Sequence, residues 1–182
     1  NPAEVESYRL IGYENRVMAA RDFHDDKKDA GEIGAGHTVT ALYELVPARA
    51  NKADEPADDK PAARPAGKLK YQQGPAVRLT EAAGTGELLT LSLRYKQPDA
   101  GQSKLLEFAA KDSSKRIGEA SKDFQFASSV AAFGMILRNS QHRGQATLSA
   151  VEEIAASAVG DDPGGYRAEF VDLVRRARQF RR

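Results

Sequence analysis

Two stretches of the chain alternate between apolar and polar residues, which is the pattern of a strand with one buried face. They are residues 37–46 and residues 87–96. In the second stretch Leu89, Leu91, Leu93 and Tyr95 share one face. The alternation therefore predicts two half-buried strands.

Two further strands are predicted beside these. Residues 97–102 contain proline, aspartate and glycine, which are typical of turns. Residues 104–109 then predict a strand that returns antiparallel and completes a hairpin. Residues 1–13 predict the other strand, because tyrosine and isoleucine favour extended backbone.

From Ser121 onward the apolar period lengthens to that of a helix. The predicted buried face of this first helix consists of Phe126, Val130, Phe133 and Leu137. Beside it runs a stripe of small residues that permits close packing, made of Ala127, Ala131 and Gly134. The pattern therefore predicts a helix that packs closely against a neighbour.

Two more helices are predicted after the first. The second is capped by Thr147 or Ser149 and ends at Gly160. The third opens at Asp162-Pro163, with proline at its first position. Its predicted buried face consists of Tyr166, Phe170, Leu173, Val174 and Ala177. The core residues expected in this half of the chain are Phe133, Leu148, Tyr166 and Phe170.

Strands in the first half and helices in the second predict an α+β fold. The predicted N-terminal half is an antiparallel, sandwich-like β-sheet in residues 1–110, and the predicted C-terminal half is a three-helix subdomain in residues 121–182. Residues 47–67 hold four prolines among alanine and charged residues, and no aromatic side chain. Such a segment buries too little apolar area to offset its ordering entropy, so we predict a disordered insert there.

Composition narrows the functional classes. The chain has 182 residues, a net charge of +1 and no cysteine. The absence of cysteine excludes disulfides, thiol catalysis and cysteine metal sites, and the near-zero charge indicates no binding to nucleic acid. Five of the last eight residues are arginine. They are expected either to favour a helix C-terminus or to contact phosphates, lipid headgroups or an acidic partner. The chain opens at Asn-Pro, which suggests a segment of a longer protein.

The acidic loop of residues 22–32 is the strongest candidate for ligand chemistry. Its carboxylates are Asp22, Asp25, Asp26, Asp29 and Glu32. Ca²⁺ prefers such oxygen ligands, but the spacing departs from that of an EF-hand. Gly31, Gly34 and Gly36 precede a predicted strand rather than a helix, so they indicate a turn or bulge instead of a phosphate loop.

No catalytic set is recognisable in this sequence. The three histidines, His24, His37 and His142, are scattered along the chain, and a triad assembled from scattered residues has no weight. We therefore expect a chain that is not an enzyme, with no catalytic, metal-binding or cofactor-binding residues and no cofactor.

Four contiguous strings carry a family resemblance. They are YRLIGYENR at 8–16, DFHDDKKDAGEIGAGHTVTALYEL at 22–45, FQFASSVAAFGMILRNS at 124–140 and YRAEFVDLVRRA at 166–177. Together they resemble the C-terminal region of bacterial von Willebrand factor type A domain-containing proteins of the YfbK type. The resemblance covers most of the chain outside the insert.

The resemblance implies an interaction or scaffold module that follows a von Willebrand factor A domain. It also implies a place in the bacterial cell envelope, often as a lipoprotein, with any lipid anchor outside this segment. The expected partners are the preceding A domain and, secondarily, another envelope protein. The Asp-x-Ser-x-Ser string of the A domain's metal site is absent here. The alternative is a cation- or ligand-binding domain that uses the acidic loop.

Overall fold

A computed structural model describes residues 1–13, 18–19, 22–28, 31–48, 79–98 and 100–180. The strands are β1 (Val5–Ile11), β2 (Leu42–Pro47), β3 (Glu87–Tyr95) and β4 (Lys104–Lys111), and the helices are α1 (Lys122–Leu137), α2 (Leu148–Ser157) and α3 (Tyr166–Phe180). Strands β1 and β2 form one small antiparallel sheet, and β3 and β4 form another. The predicted α+β class, with strands first and three helices last, is confirmed.

The predicted hairpin is confirmed, with β3 antiparallel to β4. The first strand of the other sheet, β1, ends at Ile11, where Gly12 and Tyr13 turn to φ 79° and 57°. The strand predicted at 37–46 is shorter than expected and begins at Leu42. A strand persists only where a neighbour pairs with its backbone, and β1, the partner of β2, ends at Ile11.

The turn before β2 agrees with the glycine pattern. His37 N donates to Gly34 O at 3.1 Å. Gly36 lies in this turn with φ 78°, a conformation that a side chain strains.

Side-chain caps set two helix starts. Ser121 Oγ accepts a hydrogen bond from Phe124 N at the start of α1, and Thr147 Oγ1 accepts one from Ala150 N at the start of α2. Of the two predicted caps of α2, the structure therefore selects Thr147.

Helix α3 starts later than predicted, at Tyr166, so Pro163 lies before the helix. Asp162 Oδ2 instead accepts from the Arg167 and Ala168 amides, both at 2.9 Å. The carboxylate thus accepts hydrogen bonds from two backbone amides of the first helical turn that have no partner within the helix. The loop between this carboxylate and the helix contains Gly164 and Gly165.

Backbone contacts divide the chain into two compact units. The first comprises Asn1–Tyr8 and Leu45–Lys111, and the second comprises Arg9–Glu44 and Asp112–Arg182. The predicted division at 110 and 121 stays a prediction. Most of the predicted insert at 47–67 lies outside the described residues.

The core of the helical unit lies where α1, α2 and α3 meet. Its buried cluster consists of Phe133, Ile136, Leu148, Val151 and Val174. Phe170 packs against this cluster, with its ring edge-on to Phe126 and Phe133 at centroid distances of 5.4 and 5.5 Å. The expected core roles of Phe133, Leu148 and Phe170 agree with this packing.

Two faces differ from the sequence-based expectation. On α1 the buried residues are Gln125, Ser129, Phe133 and Ile136, whereas Val130 and Leu137 are exposed. The sequence of α1 carries alanines and large apolar side chains on several of its sides, so their spacing alone did not determine which side is buried.

On α3 the buried residues are Val171 and Val174. The prediction that Tyr166 and Leu173 are buried was wrong, because α3 turns an adjacent stripe towards α1 and α2.

Candidate interaction surface

One face of the β3–β4 hairpin is apolar and half exposed. Residues directly opposite in an antiparallel pair share a face. Leu91 is opposite Phe108, and Leu93 is opposite Leu106. These four side chains retain between 41% and 54% of their surface. The apolar hairpin face is defined here as Leu91, Leu93, Tyr95, Leu106 and Phe108.

The opposite face of the hairpin is mostly polar and forms its own contacts. Ser92 Oγ donates to Glu107 Oε1 at 3.2 Å, and Arg94 Nε donates to Ser103 Oγ at 3.1 Å. Thr90 also lies on this face, opposite Ala109. The hairpin therefore has one face whose polar side chains bond to one another and one apolar face suited to burial against another surface.

The first residue of the chain is bound to the start of β3. The Asn1 side-chain amide donates to Glu87 O at 2.7 Å and to Ala83 O at 3.1 Å. The beginning of the described chain is thus held beside the strand that carries half of the apolar hairpin face.

Sequence reasoning identified the β3 half of this face but not the β4 half. Leu106 and Phe108 complete it because the register sets them opposite Leu93 and Leu91. Their alternation with Leu105 and Glu107 is the signal that indicates a shared face.

The acidic loop is organised by its own backbone. Asp25 Oδ1 accepts from Lys27 N at 3.0 Å, and Asp25 O accepts from Lys28 N at 3.0 Å. Within the described ranges, no three or more histidine, cysteine, aspartate or glutamate side chains come together in a way that could hold a metal ion. Asp29 lies outside the described residues. The alternative cation-binding function therefore gains no support from the described part of the loop.

The histidines contact local neighbours. The His24 ring lies edge-on to Phe23 at 5.1 Å, and His142 Nε2 lies 3.2 Å from Gln141 Nε2. The His37 ring packs within 3.0 Å of where a Cβ on Gly34 would lie, so it closes the turn before β2.

Two arginines of the basic C-terminal segment bind α3 to α2. Glu152 lies between Arg175 and Arg178, with its carboxylate oxygens 3.0 Å from Arg175 Nε and 2.7 Å from Arg178 Nη1. Hydrogen bonds to Glu152 and then to Asp172 raise the pKa of Arg175. Arg175 and Arg178 therefore have a structural role, whereas Arg181 and Arg182 lie outside the described residues.

Arg167 joins all three helices. It donates to the Ala158 and Val159 carbonyls at the end of α2, forms an ion pair with Asp123 of α1 and lies 5.0 Å over the Phe126 ring.

None of the described helices is long and apolar enough to cross a bilayer.

Comparison with known proteins identifies the family. The family model described as "Uncharacterized protein YfbK, C-terminal" matches residues 1–180. The "Uncharacterized protein YfbK" of Escherichia coli (strain K12) is 37% identical over 174 residues, which is 96% of this chain. The chain spans 27% of the length of that relative. No solved structure matches. The chain therefore belongs to the YfbK C-terminal family.

Proposed function

We propose that this chain is a non-catalytic interaction module that follows a von Willebrand factor A domain in a bacterial envelope protein. In this proposal its apolar hairpin face packs against that preceding domain. The observation that carries the proposal is the half-exposed set of Leu91, Leu93, Leu106 and Phe108 on one side of a two-stranded sheet.

Energetics favours a covered hairpin face. A two-stranded hairpin is marginal in water and needs packing on its apolar face. Full burial of a leucine or phenylalanine stabilises by about 1.5–3 kcal/mol, so completing the burial of a half-exposed one contributes about 1 kcal/mol. The four aliphatic and phenyl side chains together offer about 4 kcal/mol before association entropy is subtracted.

The choice of the preceding domain as the occupant rests on two observations. The chain spans 27% of its relative, so that relative has a large additional polypeptide. The Asn1 side chain is hydrogen-bonded to the start of β3, so polypeptide that precedes residue 1 would enter at one end of the hairpin that carries the apolar face. The family resemblance is the reason for proposing the A domain as this occupant and the bacterial envelope as its location. A second envelope protein is proposed as a partner of the assembled pair.

The proposal is tested in the longer protein with a protease site inserted before residue 1. After cleavage, the two fragments of the wild type should co-elute in size-exclusion chromatography. Leu93→Lys should weaken their association about 100-fold, because it removes apolar burial and buries a charge. The matched control is Leu105→Lys, which makes the same substitution at a similarly exposed position on the opposite face of the hairpin.

Parallel runs with and without Mg²⁺ would reveal whether the A domain's metal state changes the affinity. Circular dichroism of each variant would verify that the module stays folded. If the wild-type fragments separate on cleavage, or if both lysine variants weaken them equally, then the hairpin face does not bind the preceding domain.

A further inference from the structure

Helix α3 carries a second apolar stripe that faces away from the core. Tyr166, Leu173 and Phe180 retain 78%, 52% and 88% of their surface. They follow one another at intervals of seven residues, close to two helical turns, so they align along one side of the helix. We call these three residues the outer stripe of α3.

The outer stripe continues into the partly buried side of the helix. Phe170 and Ala177 pack on the core cluster and alternate with the stripe at intervals of four and three residues. This spacing is that of a coiled-coil seam. A groove of about 550 Å³ runs along the same side, and Tyr166, Phe170 and Leu173 line it.

Charges flank this seam in a fixed order. Glu169 and Arg176 also line the groove, and each directly precedes a seam residue. Neither forms an ion pair within the described part of the chain, whereas the neighbouring Arg175 and Arg178 are both engaged with Glu152. In coiled coils such flanking positions form the interhelical ion pairs that set orientation.

We propose that α3 pairs with α3 of a second copy, antiparallel, about a two-fold axis near Leu173. Glu169 and Arg176 lie four residues before and three residues after Leu173. The axis therefore sets Glu169 of each copy against Arg176 of the other, and so forms two ion pairs. It also brings the Tyr166 end of one helix to the Phe180 end of the second copy.

Charge pairing favours the antiparallel arrangement over the parallel one. Glu169 and Arg176 flank the same side of the seam, and in a parallel pair that side would set Glu169 against Val174 of the second copy, which is buried in the core. Only the antiparallel arrangement satisfies both charges at once.

The available area indicates a weak dimer. An aromatic side chain buries about 150–250 Å². Four aromatic side chains and two leucines from two copies approach about 1,000 Å², the low end of specific interfaces. The inference does not depend on the proposed function, because the hairpin face is a different surface.

The first test is sedimentation of the 182-residue chain from about 10 µM to 1 mM. The wild type should dimerise reversibly. Glu169→Arg and Arg176→Glu should each raise the dissociation constant about tenfold, because each creates two like-charge contacts. The double variant should return to the wild-type value, and an equimolar mixture of the two single variants should form a heterodimer.

The second test uses the absence of cysteine from the chain. Leu173→Cys should form a disulfide-linked dimer under mild oxidation, because the two copies meet near this residue. Gln179→Cys, at an exposed position near the end of α3 and far from the two-fold axis, should cross-link far less. Circular dichroism should verify that every variant retains its helices.

Leu93→Lys on the apolar hairpin face distinguishes the two surfaces and should leave dimerisation unchanged. The α3 pairing is overturned if the wild type stays monomeric at 1 mM, because even a weak complex with a dissociation constant of about 1 mM would be partly formed at that concentration. It is equally overturned if charge reversal has no effect, if the two cysteine variants cross-link alike, or if Leu93→Lys abolishes the dimer.

Discussion

Two alanine substitutions on α3 should destabilise the fold in the reverse of the order that side-chain size suggests. Val174 is fully buried in the cluster where the three helices meet, whereas Tyr166 is mostly exposed. The sequence places both on one buried face. The structure therefore predicts that Val174→Ala, the smaller truncation, is the more destabilising.

The magnitude follows from the atoms that each change removes. Val174→Ala loses two buried carbons, which costs about 1.6 kcal/mol of transfer free energy, and the cavity adds up to about 1 kcal/mol. The higher helix propensity of alanine returns about 0.5 kcal/mol, so we expect a net loss of about 2 kcal/mol. Tyr166→Ala should change the free energy of unfolding by about 0.5 kcal/mol or less, because most of the ring is already in water.

Urea unfolding followed by the helical circular dichroism signal measures both variants. Protein concentrations in the low micromolar range keep the α3 pairing out of the comparison. If Tyr166→Ala proves as destabilising as Val174→Ala, then α3 buries the face that the sequence suggested, and the orientation described here is wrong.

The remaining predictions concern the rest of the helical unit. Arg167→Met keeps the aliphatic stem but removes the ion pair to α1 and the hydrogen bonds to the end of α2, so urea unfolding should register a loss of about 2 kcal/mol, while Arg176→Met should change little. Thr147→Ala removes the α2 cap and should cost about 1 kcal/mol by the same assay, whereas Thr147→Ser should cost a few tenths. Phe133→Asp buries an unpaired charge and should abolish the cooperative unfolding transition of the helices; Val130→Asp, on the exposed side of α1, should retain it.

Local features of the chain could be predicted because their causes lie close together in the sequence. The hairpin follows from the alternation in 87–96 and the turn residues after it, and its antiparallel pairing confirms that reasoning. The cap of α2 follows from a hydroxyl beside its own helix start. In both cases the stabilising partner lies in the same element or in the next one along the chain, so the pattern contains the answer.

The tertiary structure decided which faces are buried. Helix α3 has two adjacent apolar stripes, and only packing against α1 and α2 selects Val171 and Val174 over Tyr166 and Leu173. The spacing of the leucines also identified an apolar face on β3, but from such a pattern alone we predict that the face is buried in the core. Leu106 and Phe108 extend it through the register of the hairpin, but that it stays half exposed depends on packing between distant segments. The sequence by itself thus determined the elements and their apolar sides. The tertiary structure decided which of those sides remain available, because burial is a property of neighbours that lie far apart along the chain.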